Sequence, residues 1–140
     1  MIIEPFSRFR VEKGINWTNP HVIISITDLP SDPAEIPDNP ACLAILRMSF
    51  PDRDTFSKNG PNDLFSKEQA RTIWNFVFKH KGSINSIMVH CTMGVSRSPG
   101  VAAALSNIIN GDDMDYFKRF TPNRYVYRML LEVWHDEFKT

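Results

Sequence analysis

The chain has 140 residues, a formal net charge of zero and 23% charged residues. This length fits one domain with a single core, and the balanced charge argues against nucleic acid as a partner. No apolar run approaches the roughly 18 residues of a membrane span, and two cysteines are too few for a disulfide framework or a zinc site. We therefore expect one cytoplasmic, monomeric domain over residues 1–140 that does not bind a membrane.

The first predicted element is a buried strand over residues 21–27. Its β-branched run (HVIISIT) ends in the turn signal Asp28-Leu29-Pro30. Residues 30–40 contain four of the ten prolines and several acids, which predicts an extended surface connection. Strand character returns over residues 42–50, and a polar loop follows over residues 51–65.

The clearest predicted helix spans residues 66–81. Ser66 and Gln69 have capping-box spacing, and apolar residues recur every three or four positions. This apolar stripe is formed by Ala70, Ile73, Trp74 and Val77. Gly82 is expected to end the helix at its C′ position. Residues 84–90 then predict a central strand that leads straight into Cys91.

Helices dominate the rest of the chain. Ser98 is expected to cap, and Pro99 to begin, a helix that runs to Asn110 and ends at Gly111. Residues 115–120 predict a short helix, and Thr121-Pro122 opens a last one. The apolar stripe of that last helix is Val126, Met129, Leu130 and Val133. Strands alternating with helices predict an α/β fold, with a mainly parallel sheet of about four to five strands and helices on both faces. Ligands bind such sheets beyond the carboxyl ends of the strands.

The segment HCTMGVSRS, residues 90–98, places a thiol and a guanidinium six positions apart between a predicted strand and helix. If the backbone N–H groups of residues 92–97 point inward, they and the positive end of the following helix would form a cradle for a dianion. Gly94 has no side chain to fill the space of the anion. The positive electrostatic field of these amides and of the helix end also favours the thiolate form of Cys91, and a thiolate is a nucleophile at neutral pH. Arg97 offers a planar fork for two phosphoryl oxygens. Ser98 can donate a hydrogen bond to the sulfur and help its departure when water attacks a thiophosphate.

This segment resembles the His-Cys-x5-Arg-Ser signature of the protein tyrosine and dual-specificity phosphatase superfamily. The resemblance covers about residues 50–131. Phe50-Pro51-Asp52 is similar to the family's Trp-Pro-Asp or Phe-x-Asp segment, and Pro122-Asn123 to a Pro-Asn that opens a late helix. Met93 departs from the usual Ala, and the interval from Asp52 to Cys91 is longer than usual. The resemblance implies a strand, phosphate loop and helix whose substrate contacts come from Thr92, Met93, Gly94, Val95, Ser96 and Arg97.

When a thiolate displaces an alkoxide or phenolate from a phosphate ester, the leaving oxygen must be protonated. This requires an acid on a loop that faces the phosphate cradle. Asp52, Asp54 and Asp63 all have suitable positions. We favour Asp52 because it directly follows a strand end, with Asp54 next and Asp63 last. The alternative is that all three are solvated loop carboxylates. His90 resembles the family histidine that orients the phosphate loop, and we regard it as supporting rather than catalytic.

The activity implied by the resemblance is hydrolysis of a phosphorylated protein or peptide through a phosphocysteine at Cys91. We favour phosphotyrosine as the substrate, with phosphoserine and phosphothreonine open. The loop lacks the lysines of phosphoinositide phosphatases, although Thr92 and Gly94 partly match RNA 5′-triphosphatases. A pseudophosphatase that binds phosphate without turnover, or a scaffold with an inert loop, are the alternatives that are not enzymes.

No cofactor is expected, because Arg97, the loop amides and the helix offset the charge of the anion without a metal. Cys42 is expected to be a buried structural thiol. It begins its strand whereas Cys91 ends one, so in parallel neighbours they would lie about 20 Å apart, beyond disulfide reach.

Overall fold

A computed structural model describes residues 1–53 and 64–140 of the chain. The strands are β1 (Ile2–Ser7), β2 (His21–Thr27), β3 (Cys42–Ser49) and β4 (Ser86–Cys91). The helices are α1 (Arg8–Lys13), α2 (Lys67–His80), α3 (Arg97–Asn110), α4 (Met114–Arg119) and α5 (Arg124–Val133). A 3₁₀ turn (Lys81–Ser83) follows α2, and a π-helical turn (Trp134–Phe138) follows α5. No helix within these residues is both long and apolar enough to cross a bilayer.

The sheet has four strands in the order β1-β4-β2-β3, and every pair is parallel. The predicted α/β fold with a parallel sheet is therefore confirmed. β2 and β4 are central and buried along their whole length, as expected for strands covered on both faces. Because the strands are parallel, their carboxyl ends place Ser7, Thr27, Ser49 and Cys91 at one end of the sheet.

Helices cover both faces of the sheet, but unevenly. On one face, α2, α3 and α5 share a large core with alternate residues of β2 and β4, including Ile24 and Val89. On the other face, α1 contributes Val11 to a smaller cluster with Ile23 and Met88. Loop residues supply the rest of that second cover. The phosphate-loop end of β4 is thus supported by a thick helical layer on one side only.

The structure confirms the N-terminus and the buried face of α2. The Ser66 side chain accepts the Gln69 N–H, and the Gln69 side chain accepts the Ser66 N–H, which completes the capping box. The predicted stripe is buried, and the Trp74 indole N–H donates to the Leu130 carbonyl at 2.8 Å. The predicted glycine cap is wrong. Gly82 lies inside a 3₁₀ turn with a negative φ, because the chain continues through Lys81 in the right-handed helical region.

The sequence predicts no element before His21, yet the chain begins with a strand and a helix. β1 pairs with β4 and contains Pro5, which hides the strand pattern but is tolerated because β1 lies at the edge of the sheet. α1 has only six residues, too few to show a helical period. Ser7 caps it by accepting the Arg10 N–H, and Gly14 ends it with a φ of 103°.

Other boundaries differ from the predictions by a few residues. β4 starts at Ser86 rather than residue 84 and includes Cys91. α4 begins one residue earlier than predicted, at Met114. α5 begins at Arg124, because the Asn123 side chain caps it by accepting the Val126 N–H. Of its predicted stripe, Met129 alone is only partly buried.

Candidate active site

The loop between β4 and α3 folds around the sulfur of Cys91. Cys91 is the last residue of β4 and has only 2% of its surface exposed. The Gly94 N–H donates to Sγ at 3.2 Å, and the Ser98 Oγ lies 3.2 Å from the same sulfur. α3 starts at Arg97, so the positive end of its dipole lies at this loop. These are the groups that stabilise a negatively charged sulfur.

Position 94 requires a glycine both because of its backbone angle and because of the backbone atoms packed against it. Its φ is +73°, in the left-handed region that favours glycine. A Cβ there would lie 2.6 Å from the Ser7 N and 2.7 Å from the Phe6 carbonyl carbon, both backbone atoms. The next residue of that segment, Arg8, donates its N–H to the Thr92 carbonyl at 3.2 Å. The junction of β1 and α1 is therefore the wall behind the phosphate loop.

The predicted cap of α3 at Ser98 is wrong. The helix begins at Arg97, and Ser96 occupies the N-cap position without a side-chain cap hydrogen bond. The two serine hydroxyls bind elsewhere. Ser98 approaches the Cys91 sulfur, and Ser96 donates to the Asp52 Oδ1 at 2.7 Å.

Arg97 is buried, and its guanidinium is held by three acceptors. Nη1 donates to the Asp28 Oδ1 at 2.7 Å and to the Phe50 carbonyl at 2.9 Å. Nη2 donates to the Thr92 Oγ1 at 2.9 Å. Only 6% of the Arg97 side chain is exposed, against 66% for Asp28. The planar fork is thus fixed beside the loop by contacts from three different segments.

Asp28 is a site residue that the sequence does not predict. The sequence predicts it only as part of the turn after β2. The available signal was its position directly beyond the carboxyl end of a central strand, where ligands of parallel sheets bind. Its carboxylate offsets part of the positive charge of Arg97.

Asp52 lies against the phosphate loop. Its Oδ1 accepts hydrogen bonds from the Ser96 hydroxyl at 2.7 Å and from the Asn123 Nδ2 at 3.0 Å. The other two predicted acids, Asp54 and Asp63, lie outside the described residues. Among residues 1–53 and 64–140, Asp52 is thus the predicted acid that the structure brings to the loop.

Asn123 joins the acid segment, the phosphate loop and α5. Its Nδ2 donates to Asp52 and also to the Arg53 carbonyl at 2.9 Å. Its backbone N–H donates to the Ser96 carbonyl at 2.9 Å, while its Oδ1 caps α5. From the sequence, Asn123 is predicted only to open a helix. Its link to Asp52 crosses 71 residues of sequence, which no local pattern reveals.

The other predicted loop residues differ in exposure. Met93 is 74% exposed and Val95 is 46% exposed, so both present apolar side chains to solvent. Thr92 is exposed and Ser96 is half-buried. The rim of the loop therefore combines the polar side chains of Thr92 and Ser96 with the apolar side chains of Met93 and Val95, and none of the four is charged.

His90 lies beneath the loop, fully buried. Its Nε2 is 2.6 Å from the Ser25 Oγ on β2, a partner 65 residues away in sequence. Burial lowers the pKa of His90 from 6.5 to about 4, against a smaller opposing effect of the Cys91 backbone. The ring is therefore neutral near pH 7.

We expect the free energy of unfolding to depend on His90 at acidic pH. The folded-state pKa is depressed, so the neutral ring stabilises the fold fully above pH 6.5, and this contribution is lost as the pH falls towards 4. The shift corresponds to about 3 kcal/mol at most. Urea denaturation of the wild type and of His90→Gln between pH 7 and 4 measures the contribution of His90 to the free energy of unfolding. The carboxylates titrate alike in both proteins, so their effect cancels in the comparison. Exposed His135→Gln is the control. An equal loss of stability in wild type and His90→Gln would contradict the assignment.

Cys42 lies far from the phosphate loop. In the sheet register both Cys42 and Ser86 pair with His21, so Cys42 is level with the start of β4 while Cys91 is at its end. Five residues of strand correspond to about 17 Å. Both thiols are free, and burial raises the pKa of the Cys42 thiol.

The chain matches no protein-family model and no curated protein sequence. Its fold is similar to that of human DUSP28, with a TM-score of 0.62 and 14% identity over 96% of this chain and 92% of that one. The human tyrosine phosphatase-like serine/threonine/tyrosine-interacting protein gives a TM-score of 0.57 and 16% identity over 85% and 79%. PTPMT1 in complex with PI(5)P gives 0.52 and 16% over 83% and 76%. The predicted resemblance to small dual-specificity phosphatase-like proteins is confirmed at the level of the fold.

Proposed function

We propose that this protein is a cysteine-dependent phosphatase that hydrolyses phosphomonoesters, with Cys91 as its nucleophile. The observation that supports this most strongly is the position of the Cys91 sulfur. The sulfur accepts a hydrogen bond from the Gly94 N–H and lies beside the Ser98 hydroxyl. It is located at the junction of a parallel strand and a helix that begins with Arg97. The fold shared with structures of known phosphatases supports the same reaction class.

The reaction has two steps in this proposal. The Cys91 thiolate attacks phosphorus in line, the S–P bond forms, and the P–O bond to the leaving group breaks while Asp52 protonates that oxygen. Arg97 and the loop amides bind the equatorial oxygens. Water then attacks the phosphocysteine and gives a proton to Asp52. Phosphate is released, and the Ser98 hydroxyl stabilises the departing sulfur.

We infer that the substrate is a phosphorylated amino acid in a peptide, with phosphotyrosine preferred. The apolar rim of Met93 and Val95 suits an aromatic ring and peptide side chains better than a cluster of phosphates. Asp28 on Arg97 adds a negative charge that disfavours polyanions such as phosphoinositides and RNA 5′-triphosphates. A cleft of about 280 Å³ between Asp52 and Arg124 is available to the rest of the peptide.

Turnover of 4-nitrophenyl phosphate with reductant and a chelator tests the activity. We expect hydrolysis that the chelator leaves unchanged, and faster release of phosphate from a phosphotyrosyl peptide than from a phosphoseryl peptide or PI(5)P. Faster hydrolysis of PI(5)P would overturn the substrate assignment. A protein that binds the phosphotyrosyl peptide without any turnover would be a pseudophosphatase, and the enzyme proposal would be wrong.

Replacing Asp52 by Asn should slow poor leaving groups more than good ones. We expect kcat for phenyl phosphate to fall by about 10²–10³-fold, and kcat for 4-nitrophenyl phosphate to fall much less, because its leaving group needs little protonation. Asn123→Ala should show the same dependence on leaving group, with a smaller loss. Exposed Asp38→Asn is the matched control. If both esters slow equally in Asp52→Asn, Asp52 is not the acid, and Asp54→Asn and Asp63→Asn become the variants to measure.

A further inference from the structure

Arg8, at the start of α1, contacts the phosphate loop and a neighbouring turn at the same time. Its backbone N–H donates to the Thr92 carbonyl of the loop at 3.2 Å. Its side chain donates to both carboxylate oxygens of Asp32, from Nη2 at 3.0 Å and from Nη1 at 3.2 Å. Asp32 belongs to the turn after β2, residues 28–33, which we call the Asp28 turn. One residue therefore joins the wall of the phosphate loop to the segment that carries Asp28.

The guanidinium of Arg8 is fully hydrogen-bonded. Nη1 also donates to the Asp32 carbonyl at 3.1 Å, and Nη2 donates to the Pro33 carbonyl at 3.0 Å. Nε donates to the Glu12 Oε2 at 3.2 Å, so all five N–H groups have an acceptor. An exposed ion pair contributes little by itself, but bidentate geometry within a network of hydrogen bonds restricts both partners to one arrangement. The side chain of Arg8 therefore fixes the Asp28 turn against α1.

The backbone of the Asp28 turn is held directly after Asp28. The Thr27 hydroxyl and the Asp32 N–H both donate to the Leu29 carbonyl, each at 3.1 Å. Asp28 lies between Thr27 and Leu29, and its Oδ1 accepts a hydrogen bond from the Arg97 Nη1 at 2.7 Å. Because 66% of the Asp28 side chain is exposed, packing does not hold this carboxylate in place. Its position on Arg97 depends instead on the backbone of the turn.

These contacts form a closed network around the guanidinium of Arg97. On one side Thr92 binds Arg97 through its hydroxyl and Arg8 through its carbonyl. On the other side Asp28 binds Nη1. In the part of the chain that the structure describes, the hydrogen bonds of Arg97 use three of its five N–H groups, two on Nη1 and one on Nη2. The Nε–H and one N–H of Nη2 are left for phosphoryl oxygens, and the network sets their orientation.

We propose that Arg8 is a positioning residue of the candidate active site. Arg8 fixes the Asp28 turn against the wall of the phosphate loop, and Asp28 in turn orients the N–H groups that Arg97 presents to a phosphoryl group. Since other acceptors occupy every N–H of its guanidinium, Arg8 acts through Asp28 and not by contact with the substrate. Its effect on turnover rests on the proposed function, whereas its effect on Arg97 and on bound inorganic phosphate is measured without turnover.

The affinity for inorganic phosphate at constant ionic strength tests the proposal in Arg8→Lys and Asp32→Asn. Arg8→Lys keeps the charge and the backbone N–H, but an ammonium cannot bind two carboxylate oxygens and two carbonyls at once. We expect the dissociation constant for phosphate to rise about fivefold in each variant, as the loss of about one net hydrogen bond implies. Arg10→Lys, on the same helix, should leave it unchanged. Asp32→Asn keeps the test available if Arg8→Lys is unstable.

The guanidinium N–H signals of Arg97 in NMR spectra report its position directly. They are identified by their absence from the spectrum of Arg97→Lys. We expect sharp Nε–H and Nη signals in the wild type, and signals that shift and broaden in Arg8→Lys but not in Arg10→Lys.

The double variant Arg8→Lys/Asp28→Ala separates an effect through Asp28 from a general loss of stability. Asp28→Ala removes the carboxylate from Nη1, so the double variant should bind phosphate as Asp28→Ala does. Additive losses, or unchanged phosphate affinity in folded Arg8→Lys and Asp32→Asn, would overturn the proposal. A wild type that binds phosphate but does not hydrolyse 4-nitrophenyl phosphate would refute the proposed function and leave the positioning role of Arg8 intact.

Discussion

Replacing Cys91 by Ser should abolish hydrolysis of 4-nitrophenyl phosphate, with a loss in kcat of about 10⁴-fold or more. The substitution nearly preserves the volume of the side chain, so the loop amides and Arg97 can keep their places. A serine hydroxyl is a much weaker acid and a poorer nucleophile than a thiol. Within residues 1–53 and 64–140, the hydrogen-bond partners of the Cys91 sulfur are the Gly94 N–H and the Ser98 hydroxyl, and neither is a base that could activate a serine. Binding of a phosphotyrosyl peptide should survive, because the cradle is intact.

The matched control for this variant is Cys42→Ser. Cys42 is a half-buried thiol at the far end of the sheet, and its Sγ donates to the Ala44 carbonyl at 3.5 Å. We expect its kcat to stay within about twofold of the wild type, since surface changes away from the site act weakly. If Cys91→Ser retained wild-type turnover, the nucleophile would be another group.

Arg97→Lys should lower kcat/KM by about 10³-fold, although the charge is preserved. A guanidinium can bind Asp28, Phe50 and Thr92 at once and still present a planar edge to phosphoryl oxygens. A lysine ammonium is a point charge that cannot satisfy the Phe50 carbonyl and the substrate in the same geometry. Losing an arginine at a phosphoryl-transfer site, or a single hydrogen-bond donor to a developing oxyanion, lowers the reaction rate by a factor of this size.

Arg10→Lys is the control for Arg97→Lys. Arg10 is exposed on α1 and stacks over the Phe6 ring at 5.1 Å, away from the phosphate loop. The two variants are compared by kcat/KM on the same ester and by thermal unfolding, so that loss of folding is separated from loss of catalysis. A decrease of less than tenfold in a folded Arg97→Lys variant would show that the guanidinium fork is not needed.

Local signals predicted a large part of this fold. The capping box at Ser66 and the apolar stripe of α2 depend on residues close in sequence, and the structure confirms both. β2 was predicted residue for residue because it is a buried, unbroken β-branched run. β1 was missed because Pro5 interrupts its pattern, and because its stability comes from pairing with β4, more than 80 residues later.

The site was predictable where it is local and was missed where it is not. Cys91, Gly94 and Ser98 lie within one strand, loop and helix, so their spacing alone indicates the arrangement around the sulfur. The contacts of Arg97 with Asp28 and of Asp52 with Asn123 cross 69 and 71 residues. Such pairs depend on which helix N-termini and post-strand segments meet at the carboxyl end of the sheet, and no single segment encodes that.

Trapping the covalent intermediate tests the central claim most directly. During turnover of 4-nitrophenyl phosphate, samples of wild type, Ser98→Ala and Cys91→Ser are quenched in acid, and the intact mass and the modified residue are determined by mass spectrometry. We expect one added phosphoryl group on Cys91, more of it in Ser98→Ala because the sulfur leaves more slowly, and none in Cys91→Ser. Turnover with no phosphorylated protein, or a phosphoryl group on any other residue, would contradict the proposed mechanism.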